Sequence, residues 1–187
     1  LAATPHGATA GIVAPLLAAA KERGTTLHVV DLSADFRLRD PAVYAATYGK
    51  PHAAPGLLSE FTCGVPEHVD ACKTAHAAQP GCFTTAVVLG AYPFLKASLV
   101  EPNVFAAAVT GSSGSGRTPG PGTHHPERRS NLYAYSPLGH RHEIEMRRLL
   151  AAANGGEEPV VDLVTHSGPF VRGIHATLRM QLRRATT

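Results

Sequence analysis

The sequence predicts an α/β protein in which a parallel strand–helix–strand unit precedes a second group of helices and strands. Three observations support this class: a strand end that runs into a turn at 1–7, apolar residues at helical spacing from Thr9 to Arg23, and a short apolar strand from Leu27 to Leu32. Strand, helix and strand in this order favour a right-handed crossover in a parallel sheet. Gly24 follows the helix where a C-terminal cap is expected.

The remaining elements follow from the same patterns, taken in chain order. They are loops and short helices at 33–70, a weak strand from Thr74 to Ala78, a helix from about Thr84 to Ala97, a strand from about Asn103 to Thr110, a Gly/Ser-rich segment at 111–122, a helix from Glu143 to Ala153, and strands from Val160 to Thr165 and from Val171 to Leu182.

Length, composition and charge exclude several classes of protein. A chain of 187 residues with 44% hydrophobic residues is long enough for one domain or two small ones with a real core. It contains no run of 18 apolar residues, so we expect no membrane span and a cytoplasmic protein. The three cysteines, Cys63, Cys72 and Cys82, form no C-x-x-C pair, which argues against a disulfide framework and a cysteine zinc site. A net charge of +3 without a basic block makes nucleic acid an improbable partner and favours small anionic substrates.

Both ends of the chain lie in or close to a predicted strand. Leu1 stands within a strand end, and the last strand stops abruptly a few residues before the chain does. We therefore expect the sequence to be truncated at both ends.

The segment Gln79-Pro80-Gly81-Cys82 is the strongest candidate for a catalytic site. A Pro-Gly turn that places a cysteine on the first turn of a helix aims unpaired backbone N–H groups at its sulfur, which favours the thiolate. The alternative is an inert buried cysteine that opens a core helix. The position of Cys82 favours the nucleophile.

Candidates for the proton transfer lie far from Cys82 in the sequence. His140 and His142 stand two residues apart just before a helix, and imidazole titrates near neutral pH. Arg141, Tyr133 and Tyr135 occupy the same segment. A histidine-based metal site that adds His124, His125 and Glu127 or Glu145 is the alternative, although no H-E-x-x-H pattern supports it.

The Gly/Ser-rich segment from Gly111 to Gly116 has two interpretations. It is either a flexible linker or an active-site loop whose exposed amides approach a phosphate or a nicotinamide ring. Arginines in loops, such as Arg37, Arg117, Arg141 and Arg172, suit bidentate binding of carboxylate or phosphate.

Short segments of the chain occur in the order seen in the N-acetyl-gamma-glutamyl-phosphate reductase family, and the chain resembles the central part of one. They are Ala-Thr-Pro-His-Gly at 3–7, Asp-Leu-Ser-Ala-Asp-Phe-Arg at 31–37, Gly-Val-Pro-Glu at 64–67, Pro-Gly-Cys at 80–82, Ser-Gly-Ser-Gly-Arg at 113–117, Gly-His-Arg-His at 139–142 and Val-Arg-Gly-Ile at 171–174. The chain departs from the family pattern at Ala77, where a larger aliphatic residue is usual, and at Thr84, where Ala, Val or Pro is expected.

This resemblance implies an NADPH-dependent reductase of arginine biosynthesis. It implies part of a Rossmann NADP-binding domain at 1–79 and, at 80–187, an α+β catalytic domain resembling that of glyceraldehyde-3-phosphate dehydrogenase. The family's opening G-x-x-G-x-x-G loop, which seats the pyrophosphate, is not among these residues. If the polypeptide ends where this sequence does, we expect weak NADPH binding and little turnover. A homo-oligomer is expected.

The resemblance also implies a mechanism. Cys82 would attack an acyl phosphate and expel phosphate, and hydride from NADPH would reduce the thioacyl enzyme to the semialdehyde. His142, or else His140, would handle the proton with Tyr135 nearby. The other implied site residues are Pro5, His6, Ser113, Gly114, Ser115 and Gly116 at the cofactor, and Arg37, Arg117, Arg172 and Ser112 at the anionic groups of the substrate.

Other functions remain open from the sequence. The lysine-pathway relative that reduces an aminoadipyl phosphate linked to the carrier protein LysW resembles the segment from Thr123 to Arg128 equally well. Aspartate-semialdehyde dehydrogenase shares the chemistry but has a different cysteine context. A metallohydrolase predicts stoichiometric metal. A non-catalytic module predicts ordinary thiol reactivity at Cys82.

Overall fold

A computed structural model of the chain describes residues 1–68, 73–116, 118–137 and 139–183. It forms two compact units, Leu1–Gly81 and Cys82–Thr187, each with its own sheet. Cys72 lies outside the described residues. No helix in the described ranges is long and apolar enough to cross a bilayer.

The first unit is built on a parallel sheet. Its elements are α1 (Thr9–Glu22), β1 (Val30–Asp31), α2 (Pro41–Tyr48), β2 (Phe61–Cys63) and β3 (His76–Ala78). The strands lie in the order β1-β3-β2 with parallel pairing throughout, and Ala2 forms an isolated parallel bridge with Asp31. The predicted strand end, helix and parallel strand are thus confirmed.

The core of the first unit is small. Phe36 and Phe61 stack with their ring centroids 3.8 Å apart and pack with Ala10, Val13 and Leu58. The strand β2 was not predicted, because the proline- and glycine-rich segment around it carries no alternating pattern. Its backbone pairing with β3 is what makes it a strand.

The second unit is a mixed sheet with helices on one face. Its elements are α3 (Cys82–Lys96), β4 (Val100–Thr110), α4 (His125–Arg128), β5 (Tyr133–Tyr135), α5 (His142–Ala151), β6 (Val160–Ser167) and β7 (Ile174–Leu182). The strand order is β5-β6-β4-β7. β4 and β6 are parallel, whereas β7 pairs with β4 and β5 pairs with β6 in the antiparallel sense.

Helices α3 and α5 pack against this sheet and against each other. α3 buries Val87, Val88 and Ala91, and α5 buries Met146 and Leu150. These burials follow the helical spacing of apolar residues. A close approach occurs at Gly90, where a Cβ would lie 2.7 Å from the Leu178 side chain of β7.

The amino ends of α3 and α5 come together. Each helix leads into one of the two parallel strands, α3 into β4 and α5 into β6, so both helices start at the carboxyl ends of these strands. The Thr84 hydroxyl of α3 lies 3.5 Å from the His142 carbonyl oxygen of α5. Ligand sites of α/β sheets form at this edge.

Several elements differ from the sequence expectation. α3 begins at Cys82, earlier than expected, and β7 begins at Ile174 because Gly173 has a left-handed φ of 95°. β5 was not predicted as a strand. Residues Ser112–Ser115, expected as an open loop, form a short 3₁₀ helix.

Candidate active site

Cys82 is the first residue of α3, and its side chain is exposed with a free thiol. The residue after it, Phe83, is buried and holds the start of the helix in the core. A thiol at a helix N-terminus lies near backbone N–H groups that stabilise negative charge. The predicted placement of the cysteine on a first helical turn is confirmed.

The ring of Phe83, the residue after Cys82, lies close to both predicted histidines. Its ring centroid lies 5.5 Å from that of His140 and 6.1 Å from that of His142. The two imidazoles are 4.5 Å apart, with His142 buried at the start of α5. Residues that are distant in the sequence therefore meet around Phe83, the residue that follows Cys82. A Cys–His pair stays a prediction.

A hydrogen bond to the His140 ring indicates which of its nitrogens carries the proton. Its Nδ1 accepts from the His142 backbone N–H at 3.1 Å, so the neutral ring carries its proton on Nε2. Burial lowers the pKa of His140 below 6.5, and the adjacent Arg141 lowers it further, while Glu145 acts in the opposite direction. His140 is thus a neutral ring near pH 7 that can donate from Nε2.

Tyr135 forms the other wall of this cluster. Its ring lies 6.3 Å from Phe83 and 6.0 Å from His140. Burial raises the pKa of Tyr135 to about 12, with a further contribution from negative charge on Cys82. The phenol therefore stays protonated near pH 7 and is a hydrogen-bond donor in this cluster.

Sequence reasoning named Glu145 only as a possible metal ligand and did not predict that its carboxylate is buried in this cluster. Glu145 is 1% exposed, and its Oε2 accepts from the Thr84 hydroxyl at 2.9 Å. In the sequence it looks like one of several acids in the first turns of a helix. Its position three residues after His142, on the same helix face, was the signal that could have found it.

The Gly/Ser-rich segment is tied to the segment that carries Arg172. The backbone N–H groups of Gly111, Ser112 and Ser113 donate to the carbonyls of Gly173, Phe170 and Val171, at 2.9 to 3.0 Å. A Cβ on Gly111 would lie 2.6 Å from the Val171 carbonyl oxygen, so only glycine fits there. Two of the predicted substrate residues, Ser112 and the exposed Arg172, are brought together by this pairing.

This pairing limits the expectation that the loop offers free amides. The N–H groups of residues 111–113 are already bonded, and those of Gly114 and Gly116 donate to Gly111 and Ser113 within the turn. The predicted cofactor contacts of Ser113, Gly114, Ser115 and Gly116 stay predictions. Arg117 lies outside the described residues.

A groove of about 920 Å³ lies elsewhere on the second unit. It is lined by residues 119–125 together with Glu127, Asn131 and Tyr133. The Tyr133 hydroxyl donates to the Gly122 carbonyl at 3.2 Å, which connects the groove to β5. Tyr133 is two residues from Tyr135, so the same short strand contributes to the groove and to the cysteine cluster.

In the first unit, Pro5 and His6 are exposed between the Ala2 bridge and α1. The His6 Nδ1 accepts from the Ala34 N–H at 3.0 Å. The N-terminus of α1 is capped by the fully buried Asp35 carboxylate, which accepts from Gly7 N–H at 2.5 Å and from Ala10 N–H at 3.0 Å. These amides are therefore committed to Asp35.

Arg37 lies at 9% exposure in the first unit. Its Nε donates to the Gln79 carbonyl at 2.8 Å and its Nη2 to the Leu32 carbonyl at 3.1 Å. These bonds hold the chain three residues before Cys82. A substrate contact of Arg37 stays a prediction, and its visible role is to fix the approach to the Pro-Gly-Cys turn.

Metal ligation was the alternative for the histidines. Within the part of the chain that the structure describes, no three His, Cys, Asp or Glu side chains gather where they could share a metal ion. His140 and His142 instead face aromatic rings.

Comparison with known proteins gives the family. Residues 82–187 match the family model "Semialdehyde dehydrogenase, dimerisation domain". An N-acetyl-gamma-glutamyl-phosphate reductase of Dehalococcoides mccartyi is 42% identical over 187 residues, covering 99% of this chain and 53% of that protein. The reductase of Nitrosococcus oceani is 46% identical, covering 96% of this chain and 51% of that protein. The chain thus spans about half the length of the curated relatives it matches.

Solved structures show the same fold. Aspartate semialdehyde dehydrogenase II from Vibrio cholerae superposes with a TM-score of 0.64 at 15% identity, over 98% of this chain and 55% of that one. The Candida albicans enzyme, solved with NADP, gives 0.56 at 14% identity, over 87% and 46%. The predicted α/β class is confirmed, and the chain belongs to the semialdehyde dehydrogenase family, with N-acetyl-gamma-glutamyl-phosphate reductases among its relatives.

Proposed function

We propose that this chain carries the acyl-transfer centre of an NADPH-dependent N-acetyl-gamma-glutamyl-phosphate reductase of arginine biosynthesis. The observation that carries the proposal is an exposed thiol at the N-terminus of α3, beside the ring cluster of Phe83, Tyr135, His140 and His142. The names of the similar proteins support the choice of substrate.

The first step is acyl transfer to sulfur. The Cys82 thiolate attacks the carbonyl carbon of the acyl phosphate, a carbon–sulfur bond forms, and phosphate leaves with the electrons of the carbon–oxygen bond. The product is a thioester on Cys82. The protonated phenol of Tyr135 and the Nε2–H of His140 are the donors available to the carbonyl oxygen as it gains negative charge.

The thiol proton goes to His142 in this mechanism. A proton added to Nδ1 of His140 would remove the acceptor that the His142 backbone N–H now uses. This cost agrees with the lowered pKa of His140. His142 is therefore the base and His140 the donor.

The cofactor fits only part of the residues present. Pro5 and His6 are exposed and can border a nicotinamide ring, whereas the Gly7 and Ala10 amides at the start of α1 are bonded to Asp35 and do not face a pyrophosphate. When bound, NADPH would supply the hydride that reduces the thioester. Pro5 and His6 would orient it, and Arg172 with Ser112 would bind an anionic group of the substrate.

The protein is also proposed to be a homodimer. The matched family model is a dimerisation domain, and the sheet face away from α3 and α5 exposes Phe105. In register, Phe105 lies between Asp162 on β6 and Arg179 on β7. A twofold axis near Phe105 would place the Asp162 carboxylate of each protomer opposite the Arg179 guanidinium of the other protomer.

The test of acyl transfer needs no cofactor. Incubation of the chain with the acyl phosphate should add one acyl group to Cys82, detected by mass spectrometry of the intact protein and of its peptides. Phosphate should be released in equal amount. Cys82→Ser should form no thioester, and His142→Ala should form it about 10²-fold more slowly. Acylation of Cys63 or Cys72 in place of Cys82 would overturn the proposal.

The carrier-linked aminoadipyl phosphate of the lysine pathway is the second candidate substrate. The segment from Thr123 to Arg128, which resembles both branches, contributes to the wall of the open groove. Acylation rates with the two acyl phosphates, measured side by side, distinguish the branches. A faster reaction with the carrier-linked substrate would assign the lysine branch and its carrier protein partner.

A further inference from the structure

The buried pair Thr84 and Glu145 has no part in the mechanism so far. Thr84 is fully buried in the first turn of α3, and Glu145 is buried in α5. The two residues are 61 positions apart in the sequence. A buried carboxylate is costly unless it is hydrogen-bonded, so its position near the cysteine cluster calls for a physical reason.

The Thr84 hydroxyl has one proton and two acceptors within reach. Glu145 Oε2 lies at 2.9 Å and the His142 carbonyl oxygen at 3.5 Å. The shorter, charge-assisted bond to the carboxylate takes the proton. Thr84 thereby fixes one oxygen of Glu145 and links the amino ends of the two helices that carry Cys82 and His142.

Glu145 acts electrostatically on the imidazoles. It stands three residues after His142, on the same face of α5, and its charge is felt at His140 as a rise in the pKa of that ring. Burial and Arg141 oppose this effect. A fixed carboxylate stabilises an imidazolium that forms nearby, and a displaced or protonated one does not.

We propose that Thr84 is a positioning residue for acyl transfer: its hydroxyl holds the Glu145 carboxylate where it stabilises the imidazolium that forms when the Cys82 thiol gives its proton to His142. The inference rests on the proposed function.

The alternative is that Thr84 only joins α3 to α5. Both roles predict a loss of stability when the hydroxyl is removed, so stability does not separate them. The pH dependence of Cys82 reactivity does, because a purely structural bond has no effect on the proton equilibrium between Cys82 and His142.

The experiment is the pH profile of Cys82 alkylation by iodoacetamide in the full chain, followed at the Cys82 peptide by mass spectrometry. Thr84→Val keeps the shape and removes the hydroxyl. We expect its midpoint to move to higher pH by about half to one unit, with a three- to tenfold slower reaction at neutral pH. Thr84→Ser keeps the hydroxyl and should match the parent.

Two further variants complete the comparison. Glu145→Gln should shift the profile in the same direction as Thr84→Val. Thr47→Val removes a threonine hydroxyl that bonds the Val43 carbonyl in α2, within the first unit, and should leave the profile unchanged. Because valine removes a bond between two helices, circular dichroism must show native helix content in each variant before the profiles are compared.

The outcomes separate the two proposals. An unshifted profile in both Thr84→Val and Glu145→Gln, together with a shifted one in His142→Ala, overturns the positioning role and leaves the proposed function standing. An unshifted profile in His142→Ala overturns the assignment of the base, and with it both proposals.

Discussion

Two helices of this molecule begin beside strand ends, and their N-termini are used in opposite ways. At α1, the backbone N–H groups of Gly7 and Ala10 are bonded to the buried carboxylate of Asp35, which comes from 25 to 28 residues later in the chain. At α3, the first residue is an exposed thiol. The same backbone feature thus stabilises a fold in one unit and is available to a nucleophile in the other.

The largest expected effect is a difference in the free energy of unfolding between a variant at the N-terminus of α1 and a variant at the N-terminus of α3. Asp35→Ala removes the acceptor of the buried Ala10 amide and of the partly buried Gly7 amide, and should lower the free energy of unfolding by roughly 3 kcal/mol. Cys82→Ala removes an exposed thiol and should change it by less than about 0.5 kcal/mol. Urea unfolding followed by circular dichroism measures both, with Asp35→Asn as the variant that keeps one acceptor oxygen. Equal losses for Asp35→Ala and Cys82→Ala would contradict the contrast.

A smaller effect concerns the charge beside the second terminus. Arg141 contributes to the lowered pKa of His140, so Arg141→Gln should raise that pKa toward 6.5. Burial, the larger cause, remains in the variant. An NMR titration of the imidazole measures the change. Arg179→Gln, on the open face of the sheet, is the control, and an equal shift in that variant would show that net charge alone is responsible.

The smallest effect compares two tyrosines. The pKa of Tyr44 is raised to about 12 by burial and by Asp35, and that of Tyr135 to about 12 by burial and by Cys82. Each raised value favours the protonated phenol, so its stabilising contribution is complete below pH 10 and is lost as pH rises toward 12. Ultraviolet titration of Cys82→Ala should show Tyr135 titrating earlier, still above pH 10, with Tyr44 unchanged. A shift of Tyr44 in that variant would break the comparison.

The sequence predicted those parts of the molecule that depend on local pattern. The helix from Thr9, the weak strand before Gln79 and the cysteine on a first helical turn all follow from spacing and turn chemistry. What it missed depends on distant pairing. β2 and β5 are strands because of their neighbours in the sheets. The amides of the Gly/Ser-rich segment are occupied because residues 170–173 return to meet them.

The residues of the candidate site also fall into those that the sequence identifies and those that only the tertiary structure identifies. Cys82, Tyr135, His140 and His142 could be singled out from residue type and neighbours, and the structure brings them together around Phe83. Glu145 was named only as a possible metal ligand, because an acid in a helix is usually solvated and only tertiary packing buries this one. The charge of Arg37 suggested that it binds an anionic group of the substrate. Its burial against backbone carbonyls depends on tertiary packing, which the sequence pattern does not show.

The bond from Thr84 to Glu145 has a consequence for how the protein is made. The two residues are 61 positions apart, so the carboxylate and both imidazoles reach the start of α3 only after the chain between them has been synthesised and its long loop has closed. Until then Cys82 lacks the base that the proposed mechanism assigns to it. On the proposed mechanism, topology therefore delays the activation of the cysteine until the unit around it is complete.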